Sequence, residues 1–248
     1  TLANAYKWNE FVKSTDPLFR PVDMATAPDG TLYVVDMYRG IIQESQWSAP
    51  IGTYLRARVD QYQLDKLHSM GRVWRLSYES LGRDKTVPRM NTQTAAQLVA
   101  NLSHPNGWWR DNAQRILVLK QDKSVVGALT EMVKSSDNLL ARFHALWTLE
   151  GLNAMPVALV REQMKDPNPR MRIQAIRASE TLYKAGERSL ETEYRAMMKD
   201  PDTDVAIQAM LTGNVLKLKD IAQAAKDLLP KNETDPKPAK GIDRKSVV

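Results

Sequence analysis

The stretch from Arg20 to Gly40 has an extended pattern. "PVDMATA" and "TLYVVD" are rich in apolar and β-branched residues, and "APDG" lies between them. This predicts two strands and a tight turn, because Pro28 presets φ, Asp29 bonds its own backbone and Gly30 accepts positive φ. "GIIQES" reads as a third strand and "GRVWRLSYE" as a fourth. The intervening "WSAPIGTYLRARVDQYQLDKLHSM" is partly helical in pattern. Four consecutive strands in up-and-down order over residues 1–79 predict one four-stranded antiparallel blade of the β-propeller type. The blade would be lengthened by that insertion.

Beyond it the pattern changes. Residues 80–91 carry Pro88 and no apolar period, and read as a linker. From residue 92 the apolar positions recur at i, i+3, i+4 and i+7. The segments "HPNGWWRDNAQRIL", "SDNLLARFHALWTL", "DPNPRMRIQAIRAS" and "DPDTDVAIQAMLTG" stack in register on Ala113, Ala145, Ala175 and Ala209, at intervals of 32, 30 and 34 residues. A second amphipathic segment, such as "VALVREQMK", fills each interval. This predicts an all-α, HEAT-like solenoid over 92–229, whose repeats bury their apolar faces only against one another. Asp166-Pro167 and Asp200-Pro201 are expected to cap their helices. The polar, Pro- and Lys-rich residues 230–248 read as a flexible tail.

Composition narrows the chemistry. The 248 residues include no cysteine, which excludes disulfides, thiolate metal sites and a CxxCH haem attachment within the chain. The net charge is +6. Residues 1–79 hold nine basic and nine acidic side chains, so the excess belongs to the helical region and its tail. Spread over long helices, it reads as a solvated face, and no nucleic-acid binding is expected. No apolar run is long enough to span a membrane. The opening "TLANAYKWNEF", without Met, is expected of a fragment or a processed product. No P-loop, GxGxxG or GxSxG is present. His68, His104 and His144 lack metal-ligand spacing, and His144 is expected to pack within the array. Trp108-Trp109 beside Arg110 reads as a bulky cover for the first repeat more readily than as a base-stacking platform.

Several of these stretches also carry a resemblance. They are "FVKSTDPLFRPVDMATAPDGTLYVVDMYRGIIQ", "YLRARVDQYQLDK" followed by "GRVWRL", "LSHPNGWWRDNAQRIL" and "ARFHALWTLEGL". In order and over about residues 10–215, they resemble the bacterial membrane-bound dehydrogenase family. Its members are similar to glucose/sorbosone dehydrogenases and fuse a quinoprotein-like β-propeller to HEAT repeats, usually with a c-type cytochrome domain. The resemblance implies a periplasmic setting, oxidation of a small organic substrate of sugar or alcohol type, and electron transfer to haem. It implies a PQQ-like quinone and a c-type haem in the complete protein, with no cofactor held by this chain alone. It also implies missing propeller blades or another protein chain as partner, and a cytochrome c domain. Against the family pattern this chain has only the last blade and no cytochrome motif.

One end of the predicted blade concentrates polar groups. Arg20 and Asp23 enter the first strand, while Asp36, Tyr38 and Arg39 follow the second. Arg20 and Asp23 are the candidate catalytic residues, since an arginine can stabilise an oxyanion or bind a carboxylate and an aspartate can orient a base or ligate Ca²⁺. Asp36, Tyr38 and Arg39 are the candidate cofactor-binding residues. The strand order puts the Asp29-Gly30 turn and the insertion after Trp47 at the opposite end. The plainer reading is an Arg–Asp pair that fixes loops. The functional expectation is thus the C-terminal portion of a cytochrome-linked dehydrogenase. In it, this chain supplies one wall of a propeller channel and a docking array. The alternative is a non-catalytic HEAT-repeat interaction scaffold.

Overall fold

The computed structural model describes residues 7, 9–41, 54–219 and 221–228. The chain divides into two compact units, Thr1–Pro88 and Arg89–Val248.

In the first unit, β1 (Pro21–Thr26) and β2 (Leu32–Asp36) form the expected hairpin. Gly30 has φ +84° in its turn, and the Asp29 carboxylate accepts from the amide and hydroxyl of Thr31 at 3.1 and 2.7 Å. A short helix, α1 (Tyr54–Tyr62), precedes β3 (Arg72–Leu76). The sheet order is β1-β2-β3, antiparallel throughout.

This corrects the expected four-stranded blade. The described chain is largely helical and carries one three-stranded sheet. The residues assigned to a fourth strand pair directly with β2, in the register Leu32↔Leu76 to Asp36↔Arg72. Both edges of β2 are therefore occupied, leaving no place beside it for "GIIQES". Gly40 and Ile41 are not in a strand, and residues 42–45 of that stretch lie outside the described residues. The topological consequence is large. The connection from β2 to β3 leaves and returns at the Asp36 end of the sheet, so the insertion springs from the same end as Arg20 and not from the opposite one. Gly40 explains part of that return, because a Cβ there would lie 2.6 Å from the Leu64 Cβ.

The second unit is helical. Its α-helices are α2 (Ala95–Asn101), α3 (Gly107–Lys120), α4 (Val126–Ser135), α5 (Leu139–Gly151), α6 (Val157–Gln163), α7 (Pro169–Ala178), α8 (Glu180–Lys184), α9 (Glu191–Met197), α10 (Thr203–Val215) and α11 (Ile221–Leu228). Helices pack as sequential pairs, α4 on α5, α6 on α7 and α9 on α10. The longer members form a continuous column, α3 on α5, α5 on α7 and α7 on α10. Ala113, Ala145, Ala175 and Ala209 are fully buried in that column. A methyl group at each allows the backbones of stacked helices to approach closely. Gly151 carries the same logic further, since a Cβ there would meet Val118 Cγ2 at 2.6 Å. Among the described residues no helix is long and apolar enough to cross a membrane.

The turns that open the column helices repeat one device. Asn106, Asn138, Asn168 and Asp202 are the N-caps, and each side chain accepts from an amide of its first turn. Asp166 and Asp200 stand two residues before their caps, not at them. They accept the backbone N–H of Asn168 and Asp202 at 2.8 and 2.9 Å. Their remaining acceptor capacity serves the preceding repeat. Arg142 donates to Asp166, and Arg172 donates to both oxygens of Asp200 at 2.8 and 2.9 Å. Both arginines stand four residues after a cap, so the helical repeat itself delivers them to the next turn.

Candidate functional site

The five sequence-selected residues do not form one cluster. Asp36 is 1% exposed and organises the strand end by itself. Its Oδ1 accepts from the backbone N–H of Arg20 at 2.8 Å and of Tyr38 at 2.9 Å, and its Oδ2 accepts from the Trp74 indole N–H at 3.0 Å. Burial alone would raise the Asp36 carboxyl. The Trp74 indole and the Arg20 and Tyr38 amides, with the charge of Arg72, together outweigh burial and hold it below the ordinary carboxylate value.

Tyr38 belongs to this cluster through backbone and ring. Its φ of +46° is unusual for a bulky side chain. The bond from its N–H to Asp36 and the Arg72 guanidinium, 3.6 Å above its ring, hold it there. Arg20 contributes only main chain: its N–H meets Asp36 and its carbonyl accepts from Met37 N–H at 2.9 Å, while its guanidinium donates back to the Phe19 carbonyl at 2.9 Å. The expected Arg–Asp side-chain pair is thus a backbone-to-carboxylate contact. Asp23 is exposed and accepts from its neighbour, Met24 N–H, at 2.8 Å. It lies beside Val35 in register, on the sheet face opposite Asp36. Arg39 is exposed.

Two residues at this end escaped the sequence reading, Arg72 and Trp74. Arg72 stands directly across from Asp36, and Trp74 across from Val34. The signal was the alternation in "GRVWRL", which places Arg72, Trp74 and Leu76 on one face. Knowing the partner strand was needed to see that this face is the one of Asp36.

The group can position, but it offers little for turnover. Three donors already hold the Asp36 oxygens, two on Oδ1 and one on Oδ2, so ligation of a cation or proton abstraction there would compete with the bonds of the strand end. Arg20 is turned toward its own neighbour. These side chains do not fit a cradle for a quinone, and the chain has no cysteine to attach a c-type haem. In the helical unit, His144 bridges repeats: its Nδ1 lies 2.7 Å from Gln114 Oε1 and its Nε2 lies 3.4 Å from Arg110 Nε. Both contacts are satisfied by a neutral ring with the proton on Nδ1. Burial, reinforced by the Arg110 charge, lowers its pKa against the opposing pull of Asp111. Trp108 and Trp109 meet edge to face, with centroids 5.5 Å apart, and Trp109 is buried.

A family model described as a domain of unknown function (DUF7133) matches residues 3–80, the sheet-bearing part of the chain. No curated protein matches the chain.

Proposed function

We propose that the chain is a non-catalytic part of a periplasmic, cytochrome-linked dehydrogenase acting on a small organic substrate, the class it resembles in sequence. In this role the sheet unit packs against the substrate-oxidising part of the enzyme, and the helical unit docks a partner such as the cytochrome. One observation carries the structural side of this reading. The sheet leaves Val22, Met24, Val73 and Trp74 between 43% and 66% exposed. A three-stranded sheet with so much apolar surface in water gains little from folding alone, and covering it against a further protein surface recovers that energy. The committed Asp36 carboxylate supports the non-catalytic half of the reading.

The second reading is an interaction scaffold with no redox parent. The unbroken column α3-α5-α7-α10 favours it, since stacked helical pairs present extended surfaces whether or not an enzyme is attached. A single preparation separates the two. The protein is isolated from its native source, and its intact mass, visible spectrum and dye-linked dehydrogenase activity are measured beside those of the recombinant 248-residue chain. The dehydrogenase reading expects haem or quinone absorption and substrate-dependent dye reduction in the native preparation, with neither in the recombinant chain. A native preparation without chromophore or activity leaves the scaffold.

A further inference from the structure

Arg72 is half-buried, its guanidinium carbon 3.6 Å from the centroid of the Tyr38 ring and 5.7 Å from that of Trp74. Among the described residues its guanidinium meets no hydrogen-bond acceptor. The carboxylate in register with it, Asp36, accepts from the two amides and the indole and feels the charge of Arg72, but forms no hydrogen bond with it. An arginine in such surroundings usually finds a fork of oxygens, because five donors of fixed geometry are otherwise only partly hydrated. We propose that Arg72, with Tyr38 and Trp74, is the docking point for a carboxylate carried on an acidic and apolar segment of a partner protein.

Preorganisation supports the assignment. Asp36 holds both aromatic neighbours, Tyr38 through its amide and Trp74 through its indole, so the stacked guanidinium sits on a fixed base. Little side-chain freedom remains to be lost on binding. Backbone strain at Tyr38 is kept only where surrounding contacts over-determine it, and here it serves to bring the ring under Arg72. The stacking leaves the planar edge of the guanidinium for a bidentate partner. A carboxylate suits that edge better than a phosphate. Of the other arginines at this strand end, Arg20 turns its guanidinium to the Phe19 carbonyl and Arg39 is exposed, so Arg72 is the one among them that its aromatic neighbours hold in place.

Openness indicates that the carboxylate is protein-borne. Small ligands are held in clefts that bury most of their surface. Arg72 instead lies on a sheet face where Trp74 is 43% exposed and Met24, across Val34 on the same face, is 64% exposed. A partner chain brings its own cover and can lay apolar side chains on Trp74 and Met24 beside its carboxylate. The inference does not depend on whether that partner belongs to an oxidising enzyme.

The test uses the full 248-residue chain and a blocked peptide of alternating Leu and Glu, followed by NMR at the Arg72 Nε–H and the Trp74 indole N–H. The peptide is expected to shift both resonances saturably, and its Gln counterpart to bind at least about tenfold more weakly, as loss of a charge-assisted pair requires. Arg72→Gln should weaken the Glu peptide by a similar factor while the Tyr38 and Arg20 amides keep their positions. Should Arg72→Gln disturb those amides, Arg72→Lys decides: it keeps the stem and charge but loses the fork, and affinity should still fall. Unshifted Arg72 and Trp74 signals, equal binding of the Gln peptide, or full affinity in Arg72→Lys overturns the proposal. Benzoate binding more tightly than the peptide at the same resonances also overturns it, in favour of a small carboxylate ligand.

Discussion

Replacing Asp36 should open the sheet far more than the loss of one surface charge would. Asp36→Ala removes the acceptor of three donors, two of them backbone amides that fix the start of β1 and the exit of β2. An unmatched donor at a buried carboxylate costs about 1–3 kcal/mol. Allowing for water reaching the rim, the three together come to about 3–5 kcal/mol. Asp36→Asn separates the contributions. Whichever way its amide turns, at least one donor faces an NH₂ group, so it should lose about 1.5–3 kcal/mol. Hydrogen exchange of the β2 amides in the full chain reads this directly, because the larger loss corresponds to exchange faster by about two to three and a half orders of magnitude. The pH dependence follows from the depressed carboxyl of Asp36. Its contribution is complete above the unfolded value of 3.8 and is lost as pH falls through the lower folded value. The gap between wild type and Asp36→Asn should therefore close on strong acidification and stay constant near neutrality. Exchange in Asp36→Ala within about threefold of wild type would refute the assignment of Asp36 as the organiser of the strand end.

Other expectations concern the helices. Arg172→Ala strips the partner from Asp200, whose side chain is 4% exposed, and should cost about 3–5 kcal/mol in urea unfolding; a midpoint unchanged from wild type would mean the pair adds nothing to the stack. Gly151→Ala should cost about 1–3 kcal/mol through its clash with the stiff Val118, and Val118→Ala in the same chain should restore most of it. The His144 ring should titrate below 6.5, so its contribution is complete above that value and declines as pH falls through the folded pKa. His144→Gln should flatten stability between pH 7 and 5, and an unchanged slope would show that another group dominates there.

What could be read from the sequence follows the range of the interactions. The hairpin was legible because Pro28, Asp29 and Gly30 encode their turn locally. The helical column was legible because Ala113, Ala145, Ala175 and Ala209 repeat where helices must touch. The sheet order was not. "GIIQES" and "GRVWRL" have equal strand character, and nothing local says which of them neighbours β2. That one ambiguity displaced the insertion to the wrong end and hid Arg72 and Trp74 from the site. How Arg20 and Asp36 meet was not legible for a related reason: the carboxylate serves backbone amides, which carry no mark in the sequence. Asp166 and Asp200 show the same limit, since their spacing suggested caps while their partners lie at Asn168, Asp202 and the preceding repeat.

The arginine rungs also give the column a seam. At the joins α5–α7 and α7–α10 one carboxylate both shapes the entering turn and holds the previous repeat, so starting a helix and docking it are one event. At the join α3–α5 the corresponding position is Ser136, whose hydroxyl accepts from the Asn138 N–H but offers no charge to the arginine behind it. Arg110 bonds to the carbonyls of His104 and Pro105 in its own repeat, as Arg172 does to those of Asp166 and Pro167, and it reaches the next repeat through His144 Nε2 at 3.4 Å. Starting a helix and docking it thus coincide at α7 and α10, whereas α5 docks on α3 through His144, a side chain inside the helix that meets Arg110 and Gln114.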